Sequence, residues 1–397
     1  MKSCVTPTAR FRNHLSMAAC SATLLILSQA VLAGGANVSA KAYVLIDPDA
    51  KQVLAQKDGN RRFEPASTTK LMTALLVFKA LRAQHIDLQQ KVFISGSAWK
   101  QSGTTMYLHA GMEVTVDDLI KGLLVQSGND AAYVLAEVVG GTVDQFVIMM
   151  NAEAQRLGML DTHFMNPAGL PEEGHLSSAV DLGALALALV NGFPEYAHYF
   201  AIKEYHYPGT PTANRKNRNP LLFSDPSVTG MKTGYTAAAG YCLVATAQRR
   251  VDATHERGML LVLLGAENEK RRAEEAAGLI SWGYRAFEQV QAEQAVTSFD
   301  PIKVWKGMTS HVEIGLQAPV TLSVPTGQQA GLRSEVEYFE PIIAPVEQGQ
   351  QVGVVRWSLL GGLIRAEPII AQHAVPEGGW LSRAWGSLCL WLHGLLE

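Results

Sequence analysis

The stretch Glu64-Pro65-Ala66-Ser67-Thr68-Thr69-Lys70-Leu71-Met72 places a hydroxyl and an amine three residues apart, where an apolar helical pattern begins. Residues i and i+3 share one face of a helix, so Lys70 can reach the Ser67 hydroxyl without help from the rest of the fold. A serine hydroxyl needs a neighbouring base, and lysine serves as one only when burial or another cation lowers its pKa. Taken alone, the pattern favours a helix cap, because Ser-x-x-Lys arises by chance about once in a chain of this length.

A second polar cluster, Ser127-Gly128-Asn129, lies between the apolar runs 119–125 and 131–139. This arrangement predicts a short loop that joins two helices. Such a loop can present the side chains of Ser127 and Asn129 to a cleft. In isolation it would be an ordinary turn, since Ser, Gly and Asn are common turn residues.

A third cluster, Lys232-Thr233-Gly234, is followed by the β-like runs 241–246 and 259–264. We therefore predict that it begins an antiparallel edge strand that lines a groove. The three clusters in this order are much rarer than any one of them.

Together the three motifs resemble those of the penicillin-binding proteins and serine β-lactamases. The stretch Asn217-Arg218-Asn219-Pro220-Leu221-Leu222, with the segments 166–170, 175–181 and 229–236, is similar to the low-molecular-mass D-alanyl-D-alanine carboxypeptidases. The chain departs from the Asn-Arg-Asn-Gly-Leu-Leu pattern at Pro220. We expect this proline to stiffen the approach to the Lys232 strand and to leave Arg218 in place.

The resemblance assigns a role to each motif residue. The expected catalytic residues are Ser67, Lys70, Ser127 and Asn129, and the expected substrate-binding residues are Lys232, Thr233, Gly234, Tyr235 and Arg218. Ser67 would attack the substrate with Lys70 as its base, Ser127 would pass a proton to the leaving amine, and Asn129 would hold Lys70 and the substrate amide. The backbone amides of Ser67 and Tyr235 would bind the oxyanion.

The resemblance also implies a site for the free carboxylate at the substrate's end. Lys232, Thr233 and Arg218 would form this site. We further expect Lys232 to depress the pKa of Lys70 by like-charge repulsion.

The implied activity is removal of the terminal D-alanine from peptidoglycan stem pentapeptides through an acyl-enzyme on Ser67. β-Lactams would act as covalent inhibitors, with slow release, because the chain lacks the Glu-x-x-Leu-Asn pattern of class A β-lactamases; Glu172 and Glu173 are expected to be solvated loop residues. Two alternatives stay open. They are a DD-endopeptidase that cuts cross-links and a non-catalytic penicillin-binding scaffold of the envelope.

The N-terminus and the composition favour an exported enzyme. Residues 1–33 predict a signal peptide, with basic residues, an apolar run and small residues before Gly34. Its removal leaves 30 basic against 36 acidic residues, which argues against a nucleic-acid partner. It also leaves Cys242, in a predicted core strand, and Cys389, so no disulfide is expected. Neither a metal nor a cofactor is expected, and His163 and His175 are predicted to be loop or core residues.

The remaining length predicts two domains and a tail. Residues 36–294 should form an α+β catalytic domain, with an antiparallel sheet flanked by helices, and residues 297–372 a small all-β domain. The first domain should open with a hairpin, strands 42–46 and 52–54, that joins the sheet of Lys232. Its helices are predicted at 68–82, 116–125, 130–139, 143–157, 178–189 and 269–287.

The tail, residues 377–397, predicts an amphipathic helix. Its apolar residues recur at helical spacing, and Trp380, Trp385 and Trp391 suit the membrane interface, although the stretch is too short to span a bilayer. The alternative is a terminal helix that packs on the body of the protein. The family resemblance implies an anchor on the outer, periplasmic face of the bacterial cytoplasmic membrane. With Arg383 as its only strong base, such an anchor would depend on apolar insertion.

Overall fold

The computed structural model of the chain describes residues 38–251, 255–292 and 299–393. The predicted signal peptide, residues 1–33, lies outside the described residues. The helices are α1 (Lys70–Arg82), α2 (Gly96–Trp99), α3 (Val116–Lys121), α4 (Asn129–Gly140), α5 (Val143–Arg156), α6 (Ala179–Gly192), α7 (His198–Ala201), α8 (Leu221–Ser224), α9 (Glu269–Ala286) and α10 (Trp380–His393). The strands are β1 (Ala42–Asp47), β2 (Gln52–Lys57), β3 (Lys91–Phe93), β4 (Glu113–Thr115), β5 (Val228–Thr236), β6 (Gly240–Arg250), β7 (Glu256–Ala266), β8 (Phe287–Gln291), β9 (Ile302–Trp305), β10 (His311–Val312), β11 (Ile314–Gly315), β12 (Thr321–Pro325), β13 (Leu332–Tyr338), β14 (Ile342–Ile343), β15 (Gln351–Leu359) and β16 (Gly362–Ala371).

A five-stranded antiparallel sheet of order β2-β1-β7-β6-β5 forms the middle layer of the first domain. Successive side chains of a strand point to opposite faces, so the apolar run of β1 serves two cores. Val44 and Ile46 belong to the core that includes α1 and α6, whereas Tyr43 and Leu45 belong to the core that includes α9. The predicted hairpin and its sheet are therefore confirmed.

The six predicted helices are present, with small shifts at their ends. Four of them begin at side chains that accept a hydrogen bond from the amide three residues on, which satisfies a free donor of the first turn. These N-caps are Thr115, Thr142, Ser178 and Asn268. The predicted helix 116–125 changes at Gly122 into a π-helical turn that ends at Gln126. The helix predicted at 269–287 ends at Ala286, because Phe287 starts β8.

The C-terminal part is all β, as predicted, and its core surrounds the fully buried Trp357. Its main sheet has the order β11-β16-β15-β13, and a smaller one has the order β10-β9-β14. Strand β8 pairs with β12 rather than with the first sheet. The predicted limits, 36–294 and 297–372, count β8 with the catalytic domain and stay a proposal, although its pairing with β12 joins this strand to the β-domain.

A buried polar cluster ties the two parts together. Asp47, fully buried at the end of β1, accepts hydrogen bonds from Arg257 Nη2 at 3.1 Å, Ser323 Oγ at 2.5 Å and Gln289 Nε2 at 3.0 Å. A buried carboxylate is tolerated only when it is paired and hydrogen-bonded. This cluster therefore fixes the β-domain against the base of the first sheet.

Helix α10 turns its apolar side away from the body of the protein. Trp380, Trp385 and Trp391 are 71%, 68% and 64% exposed, while Gly386 on the opposite side is buried. A side chain at Gly386 would lie 3.0 Å from Lys306 Cγ, so the polar side of the helix contacts the loop after β9. In the described ranges no single helix is long and apolar enough to cross a membrane; α4 and α5, bent by 84°, reach that length and hydropathy only as a pair.

Candidate active site

The predicted hydroxyl–amine pair meets at the start of α1. Residues Ala66–Thr69 form a 3₁₀ turn that leads into the helix at Lys70. Lys70 Nζ lies 3.0 Å from Ser67 Oγ, and Ser67 is only half-buried, so its hydroxyl can be reached from the cleft. Ala66 has a positive φ of 49°, a conformation that is uncommon for a residue with a side chain and that often marks functional sites.

Lys70 is completely buried and donates two further hydrogen bonds. Its Nζ lies 2.7 Å from Asn129 Oδ1 and 2.6 Å from the carbonyl oxygen of Ala168. Burial lowers the pKa of Lys70 to about 7, although the charge of Asp130 opposes this effect. A lysine with this pKa is substantially neutral at physiological pH, as a general base must be.

The loop Ser127-Gly128 separates the π-helical turn from α4, which confirms the predicted connection. Asn129 is the first residue of α4 rather than part of the loop. Ser127 adopts the left-handed conformation, with φ 64°, and is buried beside Asn129. Asp130 holds the facing loop, because its carboxylate accepts hydrogen bonds from the amides of Met106 and Leu108.

Lys232-Thr233-Gly234 lies in β5, which is the edge strand of the sheet, as predicted. It occupies the middle of the strand, however, and not its start as expected. The strand begins at Val228 because this residue already pairs with Ala247 of β6. A Cβ at Gly234 would lie 3.1 Å from the Ser67 amide nitrogen, which is tighter than an ordinary contact, so glycine favours this close approach of the strand to Ser67. Tyr235 follows it with a side chain that is 57% exposed.

Several cations surround the start of this motif. Burial lowers the pKa of Lys232 well below its ordinary value, and the charges of Lys70, Arg218 and Arg272 lower it further. Lys232 was expected to depress the pKa of Lys70; burial is the cause that lowers the pKa of Lys70, and the repulsion between the two lysines lowers the pKa of Lys232. Such a cluster favours an anionic ligand.

Arg218 is exposed at the end of the segment before α8, and its carbonyl accepts a hydrogen bond from Arg272 Nη2 at 3.4 Å. Pro220 precedes α8 with φ −68°, and Asn219 bonds the carbonyl of Gly230 in β5. The proline is thus accommodated, and Arg218 keeps its place near Lys232.

Sequence reasoning missed the turn that supplies the Ala168 carbonyl. Asn166 Oδ1 accepts hydrogen bonds from the amides of residues 168–170, which shapes the turn, and Thr73 Oγ1 of α1 bonds the Pro167 carbonyl. Gly169 has φ +79°, and a Cβ there would collide with the carbonyl of Ala66. In the sequence, the only signal for this turn was the similarity of segment 166–170 to the carboxypeptidase family. That similarity does not indicate which residues the turn contacts.

Arg272 was also missed, because it lies in α9, about 40 residues beyond the last motif. His175, predicted to be a loop or core residue, is a buried residue of a loop. The Met165 amide donates to its Nδ1, so the protonated Nε2 donates to Thr69 Oγ1 at 2.8 Å. Burial lowers the pKa of His175 to about 4, which keeps this support of the nucleophile's turn neutral.

Comparisons with known proteins agree over most of the chain. A family model described as D-alanyl-D-alanine carboxypeptidase matches residues 29–268, and one described as Penicillin-binding protein 5, C-terminal domain, matches residues 285–377. The D-alanyl-D-alanine carboxypeptidase DacC of Escherichia coli (strain K12) is 35% identical over 365 residues, covering 90% of this chain and 89% of that protein. DacA of the same strain is 32% identical over 371 residues, covering 91% and 90%. The solved structure of penicillin binding protein 5 from Haemophilus influenzae superposes with a TM-score of 0.79 at 31% identity, covering 86% of this chain and 99% of that one.

Proposed function

This chain belongs to the D-alanyl-D-alanine carboxypeptidases, which are serine-type peptidases among the low-molecular-mass penicillin-binding proteins, and we propose that Ser67 is its nucleophile and Lys70 its base. The substrate is the stem pentapeptide of peptidoglycan, from which the enzyme removes the terminal D-alanine. One observation carries the assignment: Lys70 Nζ lies 3.0 Å from Ser67 Oγ and has a pKa of about 7.

In the acylation step, Ser67 Oγ bonds to the carbonyl carbon between the two D-alanines, and its proton passes to Lys70 Nζ. The oxyanion is held by the backbone amides of Ser67 and Tyr235. The close approach of Gly234 to the Ser67 amide supports this pairing, since it brings the two donors to one side of the nucleophile.

Departure of D-alanine breaks the C–N bond and requires a proton on the leaving amine. Ser127, buried beside Asn129, is the donor, and Lys70 replenishes its proton. Asn129 Oδ1 accepts from Lys70 Nζ at 2.7 Å, and Asn129 Nδ2 donates to the Ser102 carbonyl at 2.6 Å. Both ends of this amide are thereby fixed, and its second N–H orients the substrate. Water then hydrolyses the ester and regenerates Ser67.

The terminal carboxylate binds at Lys232, Thr233 and Arg218. Lys232 is buried among positive charges, so an anion relieves their repulsion as well as forming charge-assisted hydrogen bonds. The repulsion among these positive charges is unrelieved when no anion is bound. The site therefore prefers a substrate that ends in a free carboxylate.

β-Lactams carry a carboxylate and a strained amide, and they acylate Ser67 in the same way without losing a leaving group. We expect slow deacylation. Glu172 and Glu173 are exposed, as predicted, and Glu172 accepts a hydrogen bond from Asn166 Nδ2. This hydrogen bond and the exposure of Glu172 support its assignment as a solvated loop residue.

The test measures free D-alanine released from a peptide that ends in D-alanyl-D-alanine. Ser67→Ala should abolish release and penicillin labelling, while Ser224→Ala, at an exposed position of helix α8, should retain both. Release that survives in Ser67→Ala would refute the assignment. Labelling without release in the unchanged protein would instead favour an endopeptidase or a non-catalytic binder.

We also propose that the protein is exported and that α10 anchors it to the outer face of the cytoplasmic membrane. The exposed tryptophan side of the helix supports a membrane rather than the body of the protein as its partner. Arg383 is paired with Glu377 at 3.1 Å, so attraction to anionic lipid contributes little and apolar insertion dominates.

This anchor can be tested by flotation with phosphatidylcholine vesicles. Truncation after Pro376, and replacement of Trp385 and Trp391 by alanine, should each release the protein, whereas Ser387→Ala should not. Binding that survives the truncation would show that α10 is not the anchor.

A further inference from the structure

A hairpin-like arm stands between α7 and α8, and no residue in its tip belongs to the motifs above. We define the arm as residues 203–217. Glu204 and Lys216 form an antiparallel bridge, the Tyr205 amide donates to the Arg215 carbonyl at 2.8 Å, and the Asn217 amide donates to the Lys203 carbonyl at 2.7 Å. The two legs are therefore fixed to each other, and the residues between them form a projecting tip.

The foot of the arm stands at the carboxylate end of the cleft. Arg218 follows the arm directly and lies close enough to Lys232 for its charge to lower the pKa of that lysine. The next residue, Asn219, donates to the carbonyl of Gly230, two positions before Lys232 in β5. The arm thus starts from the wall of the cleft that binds the substrate's terminus.

The tip of the arm reaches the opposite wall. Thr210 Oγ1 is buried there between Gln126 Nε2, at 3.2 Å, and the carbonyl oxygen of Met106, at 3.4 Å. Gln126 directly precedes Ser127, so this contact is made beside the catalytic loop. The arm therefore spans from β5 to the Ser127 wall and closes one end of the cleft.

A second contact, nearer to solvent, completes the closure. Asn214 Nδ2 donates to the hydroxyl of Tyr107 at 3.0 Å. Tyr107 has φ 66°, a conformation that a bulky residue rarely adopts. Asp130 enforces it by bonding the amides on either side, those of Met106 and Leu108. The tyrosine is thus held in place for this contact, and at 39% exposure it is the more solvent-exposed part of the closure.

We propose that the arm, fastened by the Tyr107–Asn214 hydrogen bond, restricts the substrate beyond the scissile bond to a single small residue and thereby makes the enzyme an exopeptidase. Tyr107 and Asn214 are specificity-determining residues in this arrangement. A cross-link carries a longer chain beyond the scissile bond, and this chain would need the space that the arm fills. The inference rests on the proposed carboxylate site at Lys232 and Arg218.

The test compares two peptides that share the same acyl part. One ends in D-alanine, and the other ends in D-lysine whose side-chain amine is acylated by a tripeptide. Tyr107→Phe and Asn214→Ala each remove one partner of the hydrogen bond, a third variant replaces residues 208–213 by two glycines, and exposed Thr212→Ala serves as the matched control on the same tip.

We expect Tyr107→Phe and Asn214→Ala to raise the ratio of kcat/KM for the long peptide to that for the short one by about two- to tenfold, the range that one hydrogen bond supports. The shortened arm should raise the ratio further, and Thr212→Ala should leave it unchanged. An unchanged ratio in Asn214→Ala and in the shortened arm, with normal penicillin labelling of Ser67, would overturn the inference while the proposed function stands. A wild-type protein that cleaves neither peptide would overturn both.

Discussion

The buried Lys70 makes the acylation rate depend on pH in a way that the structure specifies. Its pKa falls from 10.5 to about 7, which corresponds to about 5 kcal/mol against the charged form. About half of the molecules then hold neutral Lys70 at pH 7 and about 1% at pH 5, whereas an ordinary lysine would be neutral in about three molecules in ten thousand at pH 7. Burial therefore raises the fraction of active base by about a thousandfold.

We expect the second-order rate of penicillin acylation at Ser67 to fall tenfold for each pH unit below about 6.5 and to level off above about 7.5. Protonation of His175 cannot cause this fall in rate on the acid side of the pH profile (the acid limb), because burial lowers the pKa of His175 to about 4. The assay is labelling by a fluorescent penicillin under pseudo-first-order conditions between pH 5 and 9.

Asp130→Asn identifies the titrating group. The charge of Asp130 raises the pKa of Lys70, whereas the pKa of Lys232 responds to the charges of Lys70, Arg218 and Arg272. Removing the charge should therefore move the acid limb to lower pH, while the asparagine oxygen can still accept from the Met106 amide. An acid limb centred above pH 9, or one that does not move in Asp130→Asn, would refute Lys70 as the base.

Three further outcomes follow from the packing of single residues. Gly234→Ala should slow acylation about a hundredfold, because its Cβ would crowd the nucleophile's amide and displace an oxyanion donor; unchanged labelling would contradict that arrangement. Arg218→Met should lower kcat/KM for D-alanine release by about ten- to a hundredfold through KM, the effect of one charged hydrogen bond, and an effect on kcat alone would contradict its role in binding the carboxylate. Arg257→Met should destabilise the protein by about 3–5 kcal/mol in urea unfolding, because it leaves the buried Asp47 short of its countercharge, whereas exposed Arg250→Met should change stability little.

Local pattern predicted most of the secondary structure. The helices were predicted from apolar spacing, which acts within a few positions along the chain. Where local pattern failed, a distant partner was responsible. The start of β5 depends on pairing with Ala247, and helix α9 ends early because Phe287 pairs with Pro325 of β12.

Some residues of the candidate site were likewise found from the sequence, and others only from the structure. The motif residues Ser67, Asn129 and Lys232 were found because their spacing resembles that of a known family. Arg272 and the Ala168 carbonyl were not, since a guanidinium in a distant helix and a backbone oxygen leave no motif of their own. Asn166 was visible only as part of a resemblance, without its role in shaping the turn.

By itself, the sequence determined that Ser67 and Lys70 share one helical face, because three residues of helix bring their side chains together whatever surrounds them. Only the tertiary structure decided that Lys70 is substantially neutral at physiological pH. Its Nζ donates hydrogen bonds to Asn129 and Ala168, 59 and 98 positions further along the chain. Its low pKa comes from the loss of water around it, and desolvation is a property of the packed molecule that no local spacing encodes.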